Sequence, residues 1–216
     1  MKLQIKICGL TDARGVAAAV DAGANLVGFV FFRRSPRFVT PETAAQLANL
    51  APRGVKKVGL FVNPTDAELD KTLKAVRLDM IQLHGKETPA RVDAVRMLSG
   101  LPVMKALGIE TPRDLIDAKI FQDHADWLLF DAKPPKDATR PGGNARAFDW
   151  GLLKTYVGRT PWGLAGGLTR TNVAKALKDS GARLVDVSSG VESRPGVKSP
   201  AKIRAFVKAV RAAKVS

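Results

Sequence analysis

Eight short apolar runs punctuate the chain at a regular interval, and that rhythm constrains the fold more than any other feature. They lie at Leu3–Cys8, Leu26–Phe31, Val55–Val62, Leu78–Leu83, Leu101–Leu107, Trp127–Phe130, Pro161–Leu164 and Leu184–Val187. Between them run Ala-rich segments with helical periodicity. Several open on a cap or a proline: Thr40-Pro41-Glu42, Pro64-Thr65-Asp66, Thr111-Pro112 and Ser199-Pro200. A Ser or Thr hydroxyl accepts from the free amides of a first helical turn, and proline has no amide to leave unpaired there. Strand-like runs that each lead into a helix-like segment argue for parallel pairing through βαβ crossovers. The runs are almost continuously apolar, as strands covered on both faces must be.

Eight such units in 216 residues match a (β/α)8 TIM barrel, an α/β fold with eight parallel strands. Residues 1–216 are expected to form a single barrel domain. An open doubly wound sheet would place a glycine-rich dinucleotide turn after its first strand. Here that junction reads Ile7-Cys8-Gly9-Leu10-Thr11, which lacks the pattern. The loosest stretch, Lys133 to Ala147, falls between the sixth strand and its helix. It is therefore a long βα loop and not a domain boundary, and such loops often act as lids.

Composition removes other classes. One cysteine cannot close an internal disulfide, which points to a reducing, cytoplasmic setting. The two histidines, His84 and His124, stand at no ligand spacing with that thiol, so no metal and no cofactor are expected. The start of the chain reads as a charged strand and not a signal peptide. No apolar run approaches a membrane span. The 35 Lys and Arg against 20 Asp and Glu leave a net charge of +15, divided almost evenly between the two halves. That excess raises polyanions or phosphorylated substrates as partners.

In a barrel, every strand-to-helix junction lies on the catalytic face. The unusual residues gather at those junctions: Cys8, Ser35-Pro36-Arg37, Asn63, His84-Gly85, Asp131, Ala165-Gly166-Gly167 and Asp186-Val187-Ser188-Ser189-Gly190. Gly166-Gly167 and Ser188-Ser189-Gly190 are turn formers taken singly. At the adjacent seventh and eighth junctions together they form an amide-rich anion site, which predicts a phosphorylated small-molecule substrate. Cys8 reads either as a small buried hydrophobe or as a reactive thiol. Asp131 ends an apolar strand, where a carboxylate must be paired, used in chemistry, or spent on capping the next loop. Across the ring from each other, a thiolate and a carboxylic acid suit proton shuttling. Pro36 stiffens the turn before Arg37 and offers a defined guanidinium for a carboxylate. Asn63 and His84 read as turn or hydrogen-bonding residues, His124 as exposed, and Met80, Met97 and Met104 as core filler.

Taken in order, these pieces resemble the phosphoribosylanthranilate isomerase family of tryptophan biosynthesis. The resemblance is carried by Lys6-Ile7-Cys8-Gly9-Leu10-Thr11, Gly28-Phe29-Val30-Phe31 with Ser35-Pro36-Arg37, and Val58-Gly59-Leu60-Phe61-Val62-Asn63. It continues through Gln82-Leu83-His84-Gly85, Phe130-Asp131-Ala132, Phe148-Asp149-Trp150, Leu164-Ala165-Gly166-Gly167-Leu168 and Asp186-Val187-Ser188-Ser189-Gly190-Val191-Glu192. It spans residues 6 to about 198.

The resemblance implies a cofactor-independent Amadori rearrangement of N-(5-phosphoribosyl)anthranilate. It implies Asp131 as general acid, Cys8 as general base, and Arg37 as the holder of the anthranilate carboxylate. It implies Gly166, Gly167, Ser189 and Gly190 at the phosphate, and Asp186 ordering the substrate side of the last strand. Two departures stand out. Gly142-Gly143-Asn144-Ala145 replaces the family's frequent Gly-Gly-Thr-Gly, and Ser199 stands where Asp is usual.

The nearest rival is the related isomerase of histidine synthesis, which usually has an aspartate at the position of Cys8 and takes a substrate with two phosphates. A rival of another class is a nucleic-acid- or membrane-binding protein. Ser193 to Ser216 carries seven Lys or Arg and no acid, with Ile203, Phe206, Val207 and Val210 at helical spacing. The same stripe suits the eighth outer helix of a barrel, so neither a nucleic-acid nor a membrane partner is expected. The assembly is expected to be a monomer or a homodimer.

Overall fold

The computed structural model describes residues 3–134, 142 and 147–213. Eight strands, β1 (Gln4–Cys8), β2 (Leu26–Val30), β3 (Lys56–Phe61), β4 (Met80–Leu83), β5 (Val103–Ile109), β6 (Trp127–Ala132), β7 (Trp162–Leu164) and β8 (Leu184–Val187), close into one ring. Each pairs in parallel with its neighbour, and β1 meets β8 with Lys6 opposite Asp186. All eight expected runs are strands.

Side chains alternate across each strand. Ile5, Ile7, Val27 and Phe29 turn outward into the layer under the helices, the larger part of the core. Leu26, Val58, Met80, Met104, Leu129 and Leu184 turn inward and fill the barrel. Above them Cys8, Val30 and Leu60 form a small upper layer at the C-terminal mouth.

The outer shell contains α1 (Ala13–Asp21), α2 (Pro41–Ala48), α3 (Asp66–Ala75), α4 (Pro89–Ser99), α5 (Pro112–Ala118), α6 (Val173–Ser180) and α7 (Pro200–Ala212). Thr40, Thr65 and Ser199 cap α2, α3 and α7 by accepting from the first turn, and Thr111 caps α5 in a capping box with Asp114. Ser199 thus does the capping work of an aspartate. In α7 the residues Ile203, Phe206, Val207 and Val210 are buried against the barrel, and Arg211 donates to the Leu3 and Gly23 carbonyls. The basic C-terminal segment is the closing outer helix, and its apolar stripe is consumed there. No helix among the described residues is long and apolar enough to cross a membrane.

Four features depart from the sequence reading. After β6 the described residues hold a 3₁₀ turn, Trp150–Thr155, in place of an α-helix. Asp149 accepts from the Gly151 amide and sets that tighter start. After β8 a two-stranded ribbon forms, β9 (Glu192–Arg194) with β10 (Val197–Lys198). Met97 is 85% exposed on α4, whose buried face is set by Val92 and Val95. His124 is half-buried, with Nδ1 2.6 Å from Asp93 Oδ2.

Candidate active site

A cavity opens at the C-terminal mouth of the barrel, where the strand-end residues converge. Its walls include Cys8 from β1, Arg37 from the β2–α2 loop, His84 after β4, Asp131 from β6, Gly166 and Gly167 after β7, and Asp186, Ser188 and Ser189 from β8 and its loop. Val30, Phe32, Leu60 and Val62 supply an apolar side, suited to an aromatic ring. Gly142 also lines the cavity, while Gly143, Asn144 and Ala145 of the departing loop lie outside the described residues.

Cys8 is buried, and desolvation pushes its thiol above the ordinary range, against the pull of the nearby Lys6 ammonium. Its carbonyl accepts from Ser188 Oγ at 3.0 Å, which stitches the top of β1 to the β8 loop. Opposite Cys8 in register stands Gly28, where any side chain would collide with the sulfur.

Asp131 sits on β6 with Oδ1 accepting from the Ala132 amide at 2.8 Å. Its Oδ2 is 3.2 Å from His84 Nε2. Gln82 Nε2 stands 3.3 Å from His84 Nδ1. Gln82 and Asp131 thus stand one at each ring nitrogen of the His84 imidazole. Of the two roles the sequence offered for His84, turn or hydrogen bonding, the contact with Asp131 fits the second.

The Arg37 guanidinium is held by Glu192. Nε donates to Glu192 Oε1 at 2.6 Å and Nη2 to Oε2 at 2.9 Å. Its aliphatic stem crosses Gly9, whose φ of +75° and missing side chain make room for it. The fork-to-fork pair leaves Nη1 as the guanidinium nitrogen without a hydrogen bond among the described residues. Glu192 also accepts from Lys198 Nζ at 2.8 Å, and Lys198 donates onward to the Ser188 carbonyl at 2.9 Å. Burial pushes the Glu192 carboxyl up, but Arg37 and Lys198 outweigh it and hold it below the ordinary glutamate value. Burial pulls Lys198 down to about 8, with Glu192 resisting.

Gly166 and Gly167 both adopt positive φ, +88° and +60°. A side chain on Gly166 would press on the Ala132 amide and Asp131. Gly190 is set back from the cavity wall. A Cβ there would stand 1.9 Å from the Leu168 carbonyl oxygen, so the glycine lets the β7 and β8 loops close on each other. Asn63 plays the expected turn role, with φ +47° and Oδ1 accepting from the Lys86 amide. No group of three or more His, Cys, Asp or Glu able to hold a metal occurs among the described residues.

Of the expected site residues, Cys8, Arg37, Asp131, Gly166, Gly167, Asp186 and Ser189 line this mouth, while Gly190 stands behind it. Lys6, Glu192 and Lys198 were missed. Lys6 and Glu192 each lie in a motif that carries the family resemblance, Lys6 also as a charge two residues before Cys8 on the same strand face, but Lys198 left no trace.

Comparison with known proteins decides the family. A family model described as N-(5'-phosphoribosyl)anthranilate isomerase matches residues 5–209. The chain belongs to that family. The N-(5'-phosphoribosyl)anthranilate isomerase of Paracoccus denitrificans is 61% identical over 207 residues, 96% of each chain. The phosphoribosyl anthranilate isomerase of Thermotoga maritima superposes with a TM-score of 0.87 at 34% identity, covering 97% of this chain and 98% of that one. Another solved member, bound to reduced 1-(o-carboxyphenylamino)-1-deoxyribulose 5-phosphate, gives a TM-score of 0.84 at 32% identity with the same coverage. Membership makes the chain an isomerase of the tryptophan branch of amino-acid biosynthesis.

Proposed function

We propose that the cavity converts N-(5-phosphoribosyl)anthranilate to 1-(2-carboxyphenylamino)-1-deoxyribulose 5-phosphate by acid–base catalysis without a cofactor. The observation that carries this reading is a thiol on β1 and a carboxyl on β6 lining one cavity whose β7 and β8 loops are rich in glycine. Asp131 protonates the furanose ring oxygen, the C1–O bond opens, and a protonated Schiff base forms. Cys8, as thiolate, takes the proton from C2 and leaves an enolamine. Tautomerisation moves a proton to C1 and gives the ketone, so the reaction is balanced without a redox partner.

Arg37 offers Nη1 to the anthranilate carboxylate while Glu192 holds the rest of its fork. The amides of Gly166, Gly167, Ser189 and Gly190 receive the phosphate. Asp186 accepts a ribose hydroxyl, in keeping with its buried Oδ1, which has no partner among the described residues. A solved relative that binds the reduced product analogue supports the substrate class.

The test is turnover of freshly generated phosphoribosylanthranilate. Cys8→Ser and Asp131→Asn are expected to lose at least about 100-fold in kcat, with KM changed far less. Full turnover by both variants overturns the reading. The histidine-pathway rival needs a second phosphate site, and the described cavity walls offer one pair of amide-rich loops. We further propose cytoplasmic action as a monomer or homodimer with no nucleic-acid partner. Absence of DNA binding at low salt is the expected result for the last point.

A further inference from the structure

The barrel interior is apolar until one buried charged pair interrupts it directly beneath the cavity. Lys6 is fully buried, and its Nζ lies 3.0 Å from Asp186 Oδ2. Replacing such a pair by packed apolar residues is often neutral or stabilising. The fold alone therefore does not call for it.

Its placement does have a use. Lys6 and Cys8 are two residues apart on β1 and share the inward face. Asp186 is the register partner of Lys6 on β8, and Gly28 is the register partner of Cys8 on β2. A Cβ on Gly28 would stand 3.0 Å from Cys8 Sγ and 3.2 Å from Lys6 Nζ. Thiol and ammonium thus converge on the notch that this glycine leaves open.

We propose that Lys6 is a positioning residue whose buried ammonium, anchored by Asp186, stabilises the thiolate of Cys8. The inference rests on the reading of Cys8 as the base. A thiolate at this depth loses its hydration, and burial alone pushes the thiol up. A cation fixed below the sulfur offsets that cost without touching substrate, because Cys8 lies between it and the cavity. Lys6 is a constant charge and not a proton donor. Burial pulls its pKa down, but Asp186 and Cys8 outweigh burial and hold it above the ordinary lysine value. Asp186 opposes the thiolate even as it anchors the cation, so the gain at sulfur is partial. Lys198 on β10 adds a weaker pull. His84 and Asp131 face the cavity from β4 and β6, and Arg37 is already neutralised by Glu192.

Cys8 is the sole cysteine, so alkylation by iodoacetamide, followed by mass across a pH series, reports this thiol alone and needs no turnover. The midpoint is the readout, because it does not depend on reagent access. An opposite charge within about 4–6 Å favours the ionised form by roughly 1–3 pKa units. Lys6→Met is therefore expected to raise the midpoint by about one unit or more, and Lys6→Arg to stay closer to wild type than Met does. Lys6→Met strands the Asp186 charge, so Lys6→Met/Asp186→Asn provides a folded alternative, and its midpoint is also expected above wild type. Wild-type midpoints in both Lys6→Met and the double variant overturn the proposal. Retained turnover by Cys8→Ser would instead overturn the assignment of the base and leave these midpoints untouched, so the two failures are distinguishable.

Discussion

Glu192 is the most exacting test of how this site is held together. Its carboxylate accepts from Arg37 through two nitrogens, at 2.6 and 2.9 Å, and from Lys198 at 2.8 Å. All three side chains are buried. Glu192→Gln keeps the shape and one acceptor but removes the only charge that neutralises two cations. Removing one partner of a buried pair costs about 3–5 kcal/mol, because the other is left charged and desolvated. Lys198 can escape by losing its proton, since burial already holds it at about 8. Arg37 cannot deprotonate, so most of the cost falls on it. With an m-value of about 2 kcal/mol/M, the urea midpoint should fall by roughly 1.5–2.5 M at constant m. KM for phosphoribosylanthranilate should rise about tenfold or more, because the guanidinium loses its fork, while kcat changes less. Lys198→Met should cost less in the Glu192→Gln background than alone, because Lys198 is neutral there. A midpoint shift below about 0.5 M together with an unchanged KM would refute the idea that Glu192 fixes Arg37.

Three further outcomes follow from the same geometry. Gly190→Ala drives a Cβ to 1.9 Å from the Leu168 carbonyl oxygen, so it should destabilise by about 1–3 kcal/mol or more and raise KM by spreading the β7 and β8 loops proposed to hold the phosphate. Equal KM and stability would count against that packing. Burial holds Lys198 at about 8 in the folded chain against the ordinary lysine value of 10.5 when unfolded, so the unfolded chain holds more protons between those values. Unfolding free energy should therefore rise with pH across that window, by on the order of 3 kcal/mol relative to Lys198→Met; parallel pH profiles for the two proteins would exclude the shift. Met97→Lys should change stability by less than about 0.5 kcal/mol in the same urea assay, whereas a larger loss would return Met97 to the core.

The strands were legible because a parallel sheet covered on both faces must be apolar along its whole length, which leaves an unmistakable run. Helix starts were legible for a local reason, since Thr40, Thr65 and Ser199 each act within three residues. Where local signals weaken, the reading failed. Met97 and Leu98 are both exposed on α4, and hydrophobicity alone does not say which apolar residues of a helix face inward; here they are Val92 and Val95. The β9–β10 ribbon pairs Glu192–Arg194 with Val197–Lys198, segments too short and polar to resemble strands. At the site, Cys8 and Asp131 stood out because strand ends in a barrel have one destination. Glu192 did not, because its meaning comes from Arg37, 155 residues away. His84 read as a turn or hydrogen-bonding residue, but its partner was hidden until β4 and β6 brought it to 3.2 Å from Asp131.

The charge of +15 takes on a different meaning once the cavity is laid out. A doubly anionic substrate is most simply met by free cations at the mouth. Among the described residues that build it, however, Lys6 is spent on Asp186, while Arg37 and Lys198 share Glu192. Buried cations paired in this way give direction with little net charge. On the proposed reading the phosphate depends chiefly on backbone amides, which positive φ at Gly166 and Gly167 can aim inward. Amides need no proton and cost little reorganisation, so such recognition would be decoupled from the thiol and carboxyl that the proposed mechanism assigns to proton transfer. The surplus lysines and arginines lie elsewhere on the surface, where their field acts on the approach of anions and not on the chemistry. Raising ionic strength should accordingly slow association more than it lowers kcat, since charges beyond about 10 Å are screened at 0.1 M salt while the buried pairs are not.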